Sequence, residues 1–517
     1  MNSFNKRQES FISSRYKLLT VFVFAVITLF IFNNVGIFHH IGDKPNSVHT
    51  WAQSDRASVA ACYYNESMNF FKPRVYNRGD GTNSGICGME FPAINYAAAI
   101  CYKVFGFHDL YYRLINFILL FTGLISAFLL AELFLKDALF SGIVVWLFMM
   151  SPVLFFYSAN FLPDTGSLGI LLTGWYLFFR LEEKKGALLK IFFTAAITLA
   201  CLVKVTSLVS VIAMIMLMLG KHFGLIKSAF IPAMNRKMIF GFLLCFVCVA
   251  GWYQYAVWLD HKYQNYFFIL NWNTVHSVTE FIRELHRIYN TQFHDYYPYF
   301  LKWAIAISFL IFLLTLDRHD QLTAITFILL TSGLAVYVLA MLKQFLYHDY
   351  YIIPMLPAIF FLFLTTAIYI KSRIKEFRYV YFVIAAGLLL IVNMGMINCK
   401  KFYENKRYGK GYEQISYARY DQYTQASQYL DTLGVGKNDL VISYFDQTPN
   451  ASLYLLNRKG TTVRHGDIGR LNALIFSDHF SYFVLTDTVR LPGELNTRLA
   501  GTMIGEKYGL KFYQIRQ

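Results

Sequence analysis

Charge is scarce in this 517-residue chain, in which 15% of the residues are Asp, Glu, Lys or Arg and 56% are hydrophobic. The mean hydropathy is +0.40. A soluble protein of this length needs considerably more charge to cover its surface. The shortage therefore excludes an ordinary soluble globular protein and favours a membrane protein.

Sequence patterns of three other kinds are also missing. The chain has no Gly-rich loop of the type that holds nucleotide phosphates. It shows no internal repeat, whereas many transporters consist of two related halves. The first apolar block, 18–38, is too long for the core of a removable signal peptide and lacks a small-residue cleavage pattern. We therefore interpret this block as a first membrane span.

Apolar blocks recur along the chain at lengths that suit membrane helices, which need roughly 20 residues. About eleven spans are predicted, at 18–38, 114–135, 139–157, 165–179, 187–203, 206–220, 238–258, 299–316, 322–342, 351–370 and 380–397. Lys and Arg concentrate in the loops on the same side as the N-terminus, which assigns that side to the cytoplasm. The net charge of +16 thus reflects topology, and no nucleic-acid partner is expected.

This orientation leaves three polar segments outside: the loop 39–113, the segment 260–298 and the tail from residue 398. Residues 1–397 are predicted to form an α-helical polytopic membrane domain, and residues 398–517 an external soluble α/β domain. Within the tail, strand-length apolar runs lie at 439–444, 482–486 and 511–515, and helical spacing lies at 450–456 and 467–476. In the first loop, residues 51–69 are predicted as a helix on the membrane surface.

Cysteine gives little information on function. Cys62 and Cys87 both lie in the first external loop and could pair if that compartment is oxidising, a question that the sequence leaves open. Cys245 and Cys248 form a C-x-x-C inside a predicted span, where they are interpreted as small apolar fillers.

Ionisable groups at the external edge of the spans are the candidates for chemistry, because such a group costs about 2.5–3.5 kcal/mol at the centre of a membrane helix. Asp55 follows the first span, with a surface pair to Arg56 as the alternative. Asp164 precedes a span, where it could equally cap the helix. Lys204 either extends to the membrane interface or holds a lipid phosphate. The His-Asp-Tyr-Tyr run at 348–351 could instead belong to an aromatic belt.

Five patches, taken in order, resemble the GT-C membrane glycosyltransferases, specifically the bacterial branch related to protein O-mannosyltransferases and the lipid A aminoarabinose transferase. They are W-x-Q-x-D at 51–55, F-F-x-P-R-V at 70–75 with R-G-D at 78–80 and G-x-E-F-P at 88–92, F-x-P-D at 161–164, the lysine at 204, and H-D-Y-Y-x-x-P at 348–354. The tail resembles the family only in its position and general α/β character. Arg56 is a departure, because many members have a second acidic residue there.

The resemblance implies the GT-C fold and an inverting transfer of a sugar from a polyprenyl-phosphate donor to a hydroxyl group of a glycan, lipid A or protein acceptor. It implies an inner (plasma) membrane enzyme with its active site on the periplasmic side, among membrane lipids. The implied catalytic residues are Asp55, as general base, and Asp164. The implied donor-phosphate residues are Lys204, His348, Tyr350 and Tyr351, and the implied substrate-binding residues are Gln53, Arg74, Asp80, Glu90 and Asp349. No cofactor and no metal ligand are assigned. A divalent metal stays an open alternative, although Arg56, which stands in place of an acidic residue, argues against the metal site of some relatives.

Two other functions compete with this hypothesis. A transporter of lipid-linked saccharides would also have many spans, but it would show related halves. A lipid-linked glycan polymerase or ligase usually depends on arginines in a large late external loop, where this chain has Arg283 and Arg287. Two arginines are little evidence for that function, and a transporter would show breaks within its spans rather than polar groups gathered at the external edge. A receptor or structural protein would leave those groups unexplained, so the transferase is favoured.

Overall fold

The computed structural model describes residues 2–79, 81–182, 186–266, 268, 274–374, 377–408, 420–477, 479–486, 491, 493–499 and 501–515. In the described residues up to Tyr408, α-helices are the main regular elements. They are α1 Asn2–Val35, α2 Thr50–Asn65, α3 Ala93–Phe105, α4 Leu110–Leu135, α5 Ala138–Met149, α6 Pro152–Ser158, α7 Asp164–Arg180, α8 Ala187–Val203, α9 Leu208–His222, α10 Arg236–Tyr263, α11 Val278–Thr291, α12 Phe293–Tyr296, α13 Tyr299–Leu314, α14 Gln321–Phe345, α15 Leu356–Ile374 and α16 Arg378–Tyr408.

The helical part forms a multi-pass membrane protein, as predicted. Within the described ranges, seven helical stretches are long and apolar enough to cross a membrane: Arg15–Val35, Leu110–Leu135, Val205–His222, Arg236–Tyr263, Gln321–Phe345, Asp349–Ile374 and Tyr379–Tyr408. Helices α5 and α6 meet at 85° and add an eighth if they form one bent span. Helices α3, α8 and α13 are shorter apolar helices, so the count of eleven spans stays a prediction.

Close packing of α7 against α4 and α8 positions the polar groups at the helix ends. Gly123 of α4 faces Gly169 of α7, and a methyl group at Gly169 would lie 2.1 Å from the carbonyl oxygen of Leu119. Small residues at such contacts allow helix backbones to approach closely in a membrane. The packing brings the first residue of α7, Asp164, beside Lys204, which directly follows α8.

The tail contains a five-stranded sheet in the order β2-β1-β3-β5-β4. The strands are β1 Val441–Tyr444, β2 Gly460–Val463, β3 Tyr482–Thr486, β4 Met503–Lys507 and β5 Leu510–Gln514. The first three are parallel, whereas β5 pairs antiparallel with β3 and β4. Helices lie at Asp421–Thr432, Ala451–Leu456, Ile468–Ile475 and Gly493–Leu499.

These elements confirm the three strands and two helices predicted in the tail. Strands β2 and β4 were not predicted, because both are short and partly polar. The predicted domain boundary at residues 397 and 398 lies inside α16, which continues to Tyr408.

Helix α2 forms where a helix was predicted, but it is buried rather than exposed at a surface. Its buried residues include twelve of its sixteen positions, on all sides of the helix. The run Ala-Ser-Val-Ala-Ala-Cys at 57–62 has small side chains, so α3 and the tail helix Ala451–Leu456 both pack against it. Cys62 and Cys87 are buried in this region, and no disulfide joins them.

Candidate active site

A cavity of about 520 Å³ lies between α2, the loop before α3, the end of α10 and the segment after α14. Its volume is in the range of small-molecule sites. Six of the eleven predicted site residues line it: Asp55, Glu90, Lys204, His348, Tyr350 and Tyr351. The structure thus brings together residues that are almost 300 positions apart in the sequence.

Asp55 lies on α2 and is only 2% exposed, although it contributes to the cavity wall. Its Oδ1 atom accepts a hydrogen bond of 2.8 Å from the side-chain amide of Asn450. Burial raises the pKa of Asp55 to about 7, against the opposite effects of Arg56 and of the Asn450 hydrogen bond. A carboxyl group with a pKa near the working pH is suited to act as a general base.

Arg56 pairs with Glu90, and not with Asp55 as the alternative interpretation had it. Its Nη2 and Nε atoms lie 2.9 and 3.0 Å from Oε1 of Glu90. Burial favours the neutral acid, but Arg56 and Lys204 lower the pKa of Glu90 below its ordinary value. The cavity wall therefore contains a fixed ion pair beside the Asp55 carboxyl group.

Lys204 forms the second ion pair, with its Nζ atom 2.9 Å from Oδ1 of Asp164. The rings of Tyr350 and Tyr351 lie 5.6 and 5.8 Å from the ammonium group, at distances typical of cation–π contacts. Burial opposes the charged form, but Asp164 and further acidic neighbours raise the pKa of Lys204 above its ordinary value. Asp164 acts as an ion-pair partner here, whereas the alternative interpretation made it a helix cap.

His348 stacks on Tyr351, with 5.3 Å between the ring centroids, and lies 5.7 Å from the ring of Trp51. Burial lowers the pKa of His348 to about 3, assisted by the neighbouring His49 and Lys204. The imidazole is therefore neutral at neutral pH, so that its predicted contact with the donor phosphate would be a hydrogen bond and not an ion pair. It retains one N–H donor, and its Nδ1 atom has no hydrogen-bond partner among the described residues.

Two of the predicted substrate-binding residues stabilise the first loop instead of lining the cavity. The amide of Gln53 donates to two backbone carbonyls of the preceding loop, at 2.8 and 2.9 Å. Arg74 pairs with Glu66 at 3.1 Å. Asp80, which was also predicted to bind substrate, lies outside the described residues.

Asp349 does not line the cavity, although its neighbours His348 and Tyr350 do. Its carboxylate accepts a 2.6 Å hydrogen bond from the hydroxyl of Tyr157 and lies 3.3 Å from both Nε2 of His49 and Nζ of Lys406. Asp349 thus ties the segment after α14 to three other parts of the helical domain. We infer a structural role for it.

Sequence reasoning missed the wall that α10 contributes. Asp260, near the end of α10, accepts a 2.6 Å hydrogen bond from the backbone N–H of Gly88. A methyl group at Gly88 would lie 2.0 Å from the carbonyl oxygen of Ala256, so glycine is required for this close approach. The polar character of the segment that begins at residue 260 was the available signal.

The question of a divalent metal, which the sequence left open, stays open. In the described part of the chain, no three His, Cys, Asp or Glu side chains form a group that could hold an ion. The residue that follows Asp55 on α2 is Arg56, and not a second acidic residue. Its guanidinium group pairs with Glu90 of the loop before α3.

Neither a protein-family model nor a curated protein sequence matches the chain. Among solved structures, the chain is similar to ArnT from Cupriavidus metallidurans bound to undecaprenyl phosphate, with a TM-score of 0.60 and 12% identity over 95% of this chain and 98% of that one. The apo state of the same ArnT gives a TM-score of 0.52 at 12% identity, over 96% and 98%. An oligosaccharyltransferase from Archaeoglobus fulgidus gives 0.50 at 11% identity, over 90% of this chain and 69% of that one. These similarities confirm the predicted GT-C fold.

Proposed function

We propose that this protein is a membrane glycosyltransferase, which moves a sugar from a polyprenyl-phosphate donor to a hydroxyl group of a glycan, lipid A or protein acceptor. The observation that carries the proposal is that Asp55 and Lys204 line one cavity, so that a carboxyl group that titrates near pH 7 and a fixed ammonium group face the same space. The GT-C fold supports the proposal, because ArnT with this fold has been crystallised with undecaprenyl phosphate.

In the proposed reaction, the acceptor hydroxyl attacks the anomeric carbon of the donor while Asp55 removes the hydroxyl proton. The bond between the anomeric carbon and the phosphate oxygen breaks as the new glycosidic bond forms, which inverts the anomeric centre. The leaving polyprenyl phosphate gains negative charge, and the partly buried ammonium group of Lys204 meets that charge. Tyr350 and Tyr351 flank the ammonium group and would line the phosphate position.

The proposed location is a bacterial inner membrane, with the cavity and the C-terminal domain on the periplasmic side. The distribution of Lys and Arg among the loops supports this orientation. The buried contact between Asn450 and Asp55 supports a common side for the tail and the cavity.

The test is sugar transfer from synthetic polyprenyl-phosphate sugars by purified wild-type protein and by Asp55→Asn. Loss of a general base is expected to lower the rate by about 10²–10⁴-fold. Asp421→Asn, which changes an exposed carboxylate of the tail, is the matched control and should transfer at the wild-type rate. All three proteins are compared by thermal unfolding. An Asp55→Asn protein that works as well as wild type would contradict the assignment of the base.

A further inference from the structure

The side chain of Asn450, from the C-terminal domain, contacts the cavity residue Asp55. Asn450 is fully buried and directly precedes the helix Ala451–Leu456, in the loop after β1. Its Nδ2 atom donates the 2.8 Å hydrogen bond to Oδ1 of Asp55, across 395 positions of sequence. The soluble domain therefore contacts the residue proposed as general base.

The orientation of the Asn450 amide is determined by a backbone donor. The N–H of Asn77 donates to Oδ1 of Asn450 at 2.8 Å. Because an N–H can pair only with the oxygen of the amide, the nitrogen must be the atom that faces Asp55. Asn77 is itself fixed, since its side chain donates to the carbonyl of Pro449 at 2.7 Å and accepts from the N–H of Gly79 at 2.8 Å.

The turn that presents Asn450 is organised by Asp446, which is buried at the end of β1. One carboxylate oxygen of Asp446 accepts hydrogen bonds from the N–H and the hydroxyl of Thr448, at 2.9 and 2.8 Å. The other oxygen accepts from the N–H of Ser452 at 2.9 Å. These bonds span the turn on both sides of Asn450, so its position is set before any substrate binds.

The first external loop also joins the edge of the tail sheet. The N–H of Gly460, in β2, donates to the carbonyl of Tyr76 at 3.1 Å, and the N–H of Arg78 donates back to the carbonyl of Gly460 at 2.5 Å. Strand addition of this kind fixes the register between two segments through main-chain bonds. The loop and the tail therefore hold Asn77 and Asn450 in a fixed relation.

We propose that Asn450 is a positioning residue for Asp55, so that the C-terminal domain completes the active site. This inference rests on the proposed function. By donating to Oδ1, Asn450 stabilises the ionised carboxylate and leaves Oδ2 for the acceptor hydroxyl. The other charged groups that act on Asp55 are Arg56 on the same helix, Glu90 from the loop before α3, and Asp446 from the tail.

The direction of the effect follows from the charges. Burial already raises the pKa of Asp55 to about 7, and the Asn450 hydrogen bond opposes that rise. Loss of the bond should therefore raise the pKa further. Because the base works in its ionised form, the rising limb of the rate against pH should move to higher pH, by about one unit for one hydrogen bond to a charged group.

The experiment compares wild type with Asn450→Ala, Asn450→Asp and the control Asn438→Ala, which changes an exposed asparagine of the same domain. Sugar transfer is measured from pH 5 to 10. Asn450→Ala should transfer about ten-fold more slowly than wild type at pH 6 and should recover at high pH. Asn450→Asp keeps the size and the acceptor for Asn77 but places a second carboxylate against Asp55, so its shift should be larger. It also serves as the test if the alanine variant does not fold.

A second measurement does not depend on sugar transfer. Dicyclohexylcarbodiimide reacts with protonated carboxyl groups in apolar surroundings, and mass spectrometry of the peptide that contains Asp55 gives the extent of labelling at each pH. The labelling midpoint should lie near 7 in wild type and in Asn438→Ala, and higher in both Asn450 variants. A shifted labelling midpoint without any sugar transfer would overturn the proposed function alone. Unchanged midpoints, or a loss of rate that is the same at every pH, would overturn the role of Asn450.

Discussion

Variants of Lys204 can separate its contribution to stability from its contribution to sugar transfer. Lys204→Met removes the ammonium group but keeps the length of the side chain, so that Asp164 is left without its partner. The Asp164 carboxylate is 2% exposed and lies 2.9 Å from Nζ. Removing one member of a buried ion pair destabilises a protein by about 3–5 kcal/mol. Lys204→Met should therefore unfold at a clearly lower temperature than wild type.

The double variant Lys204→Met/Asp164→Leu removes both charges at once. Replacement of a buried pair by apolar residues is often neutral for stability, so the double variant should recover most of the loss. Sugar transfer should not recover with it. If Lys204 meets the charge of the leaving phosphate, both variants should be slower by about 10²–10³-fold, the usual effect of removing one preorganised donor.

The assay combines thermal unfolding with transfer from a synthetic polyprenyl-phosphate sugar. The control is Lys343→Met, because Lys343 pairs with Glu280 at the same distance of 2.9 Å but is 28% exposed. Both members of this pair are partly open to solvent, at 28% and 19%, so the pair should contribute closer to the roughly 0–1 kcal/mol of a surface pair, and this variant should unfold nearer to wild type than Lys204→Met. Recovery of transfer in the double variant would refute the phosphate role of Lys204. A Lys204→Met protein as stable as wild type would refute the reasoning on the buried pair.

Three further predictions concern packing, the pH profile and metal dependence. Gly169→Ala should destabilise the protein by about 1–3 kcal/mol, because its methyl group would lie 2.1 Å from the carbonyl oxygen of Leu119; the control Gly251→Ala, which meets nothing within 4 Å, should not lower the unfolding temperature. His348→Gln should leave the midpoint of the pH profile near 7, because the pKa of His348, about 3, lies below the assayed range; a moved midpoint would assign the titration to His348. EDTA should leave the rate of wild-type transfer unchanged, because the guanidinium group of Arg56 occupies the place of an acidic metal ligand. Arg56→Met should lower the rate, because Glu90 loses its ion-pair partner in the cavity wall. A rate that EDTA abolishes and Mg²⁺ restores would contradict the first expectation.

The sequence was sufficient to predict the parts of the fold that depend on local composition. Long apolar runs are spans because a membrane helix satisfies its backbone hydrogen bonds internally, whatever its neighbours are. Strands β2 and β4 depend instead on pairing with strands elsewhere in the chain. The burial of α2 was wrongly predicted for a similar reason, since the elements that cover it come from other parts of the sequence.

The site residues that could be predicted are those that lie in recognisable sequence motifs. The ordered patches located Asp55, Glu90 and Lys204, which the structure brings to one cavity. They did not show that Arg56 forms an ion pair with Glu90. The two residues are 34 positions apart, so their contact depends on the path of the loop between α2 and α3. Asn450 gave no signal at all, because a single asparagine in a soluble domain has no motif and acquires its role only through contact.

If the protein has the proposed function, the two ion pairs of the cavity also indicate which step of the reaction they assist. Each cation that faces the space, Arg56 and Lys204, already has a carboxylate partner within 3 Å. An unpaired charge buried in this way would be strongly unfavourable, so the pairs keep the empty site stable. A donor phosphodiester carries one negative charge, whereas the leaving phosphate gains more as its bond to the sugar breaks. In the proposed reaction, the attraction between Lys204 and the phosphate therefore grows as the bond breaks, while the attraction to Asp164 weakens. Interactions that strengthen towards the transition state are those that accelerate a reaction.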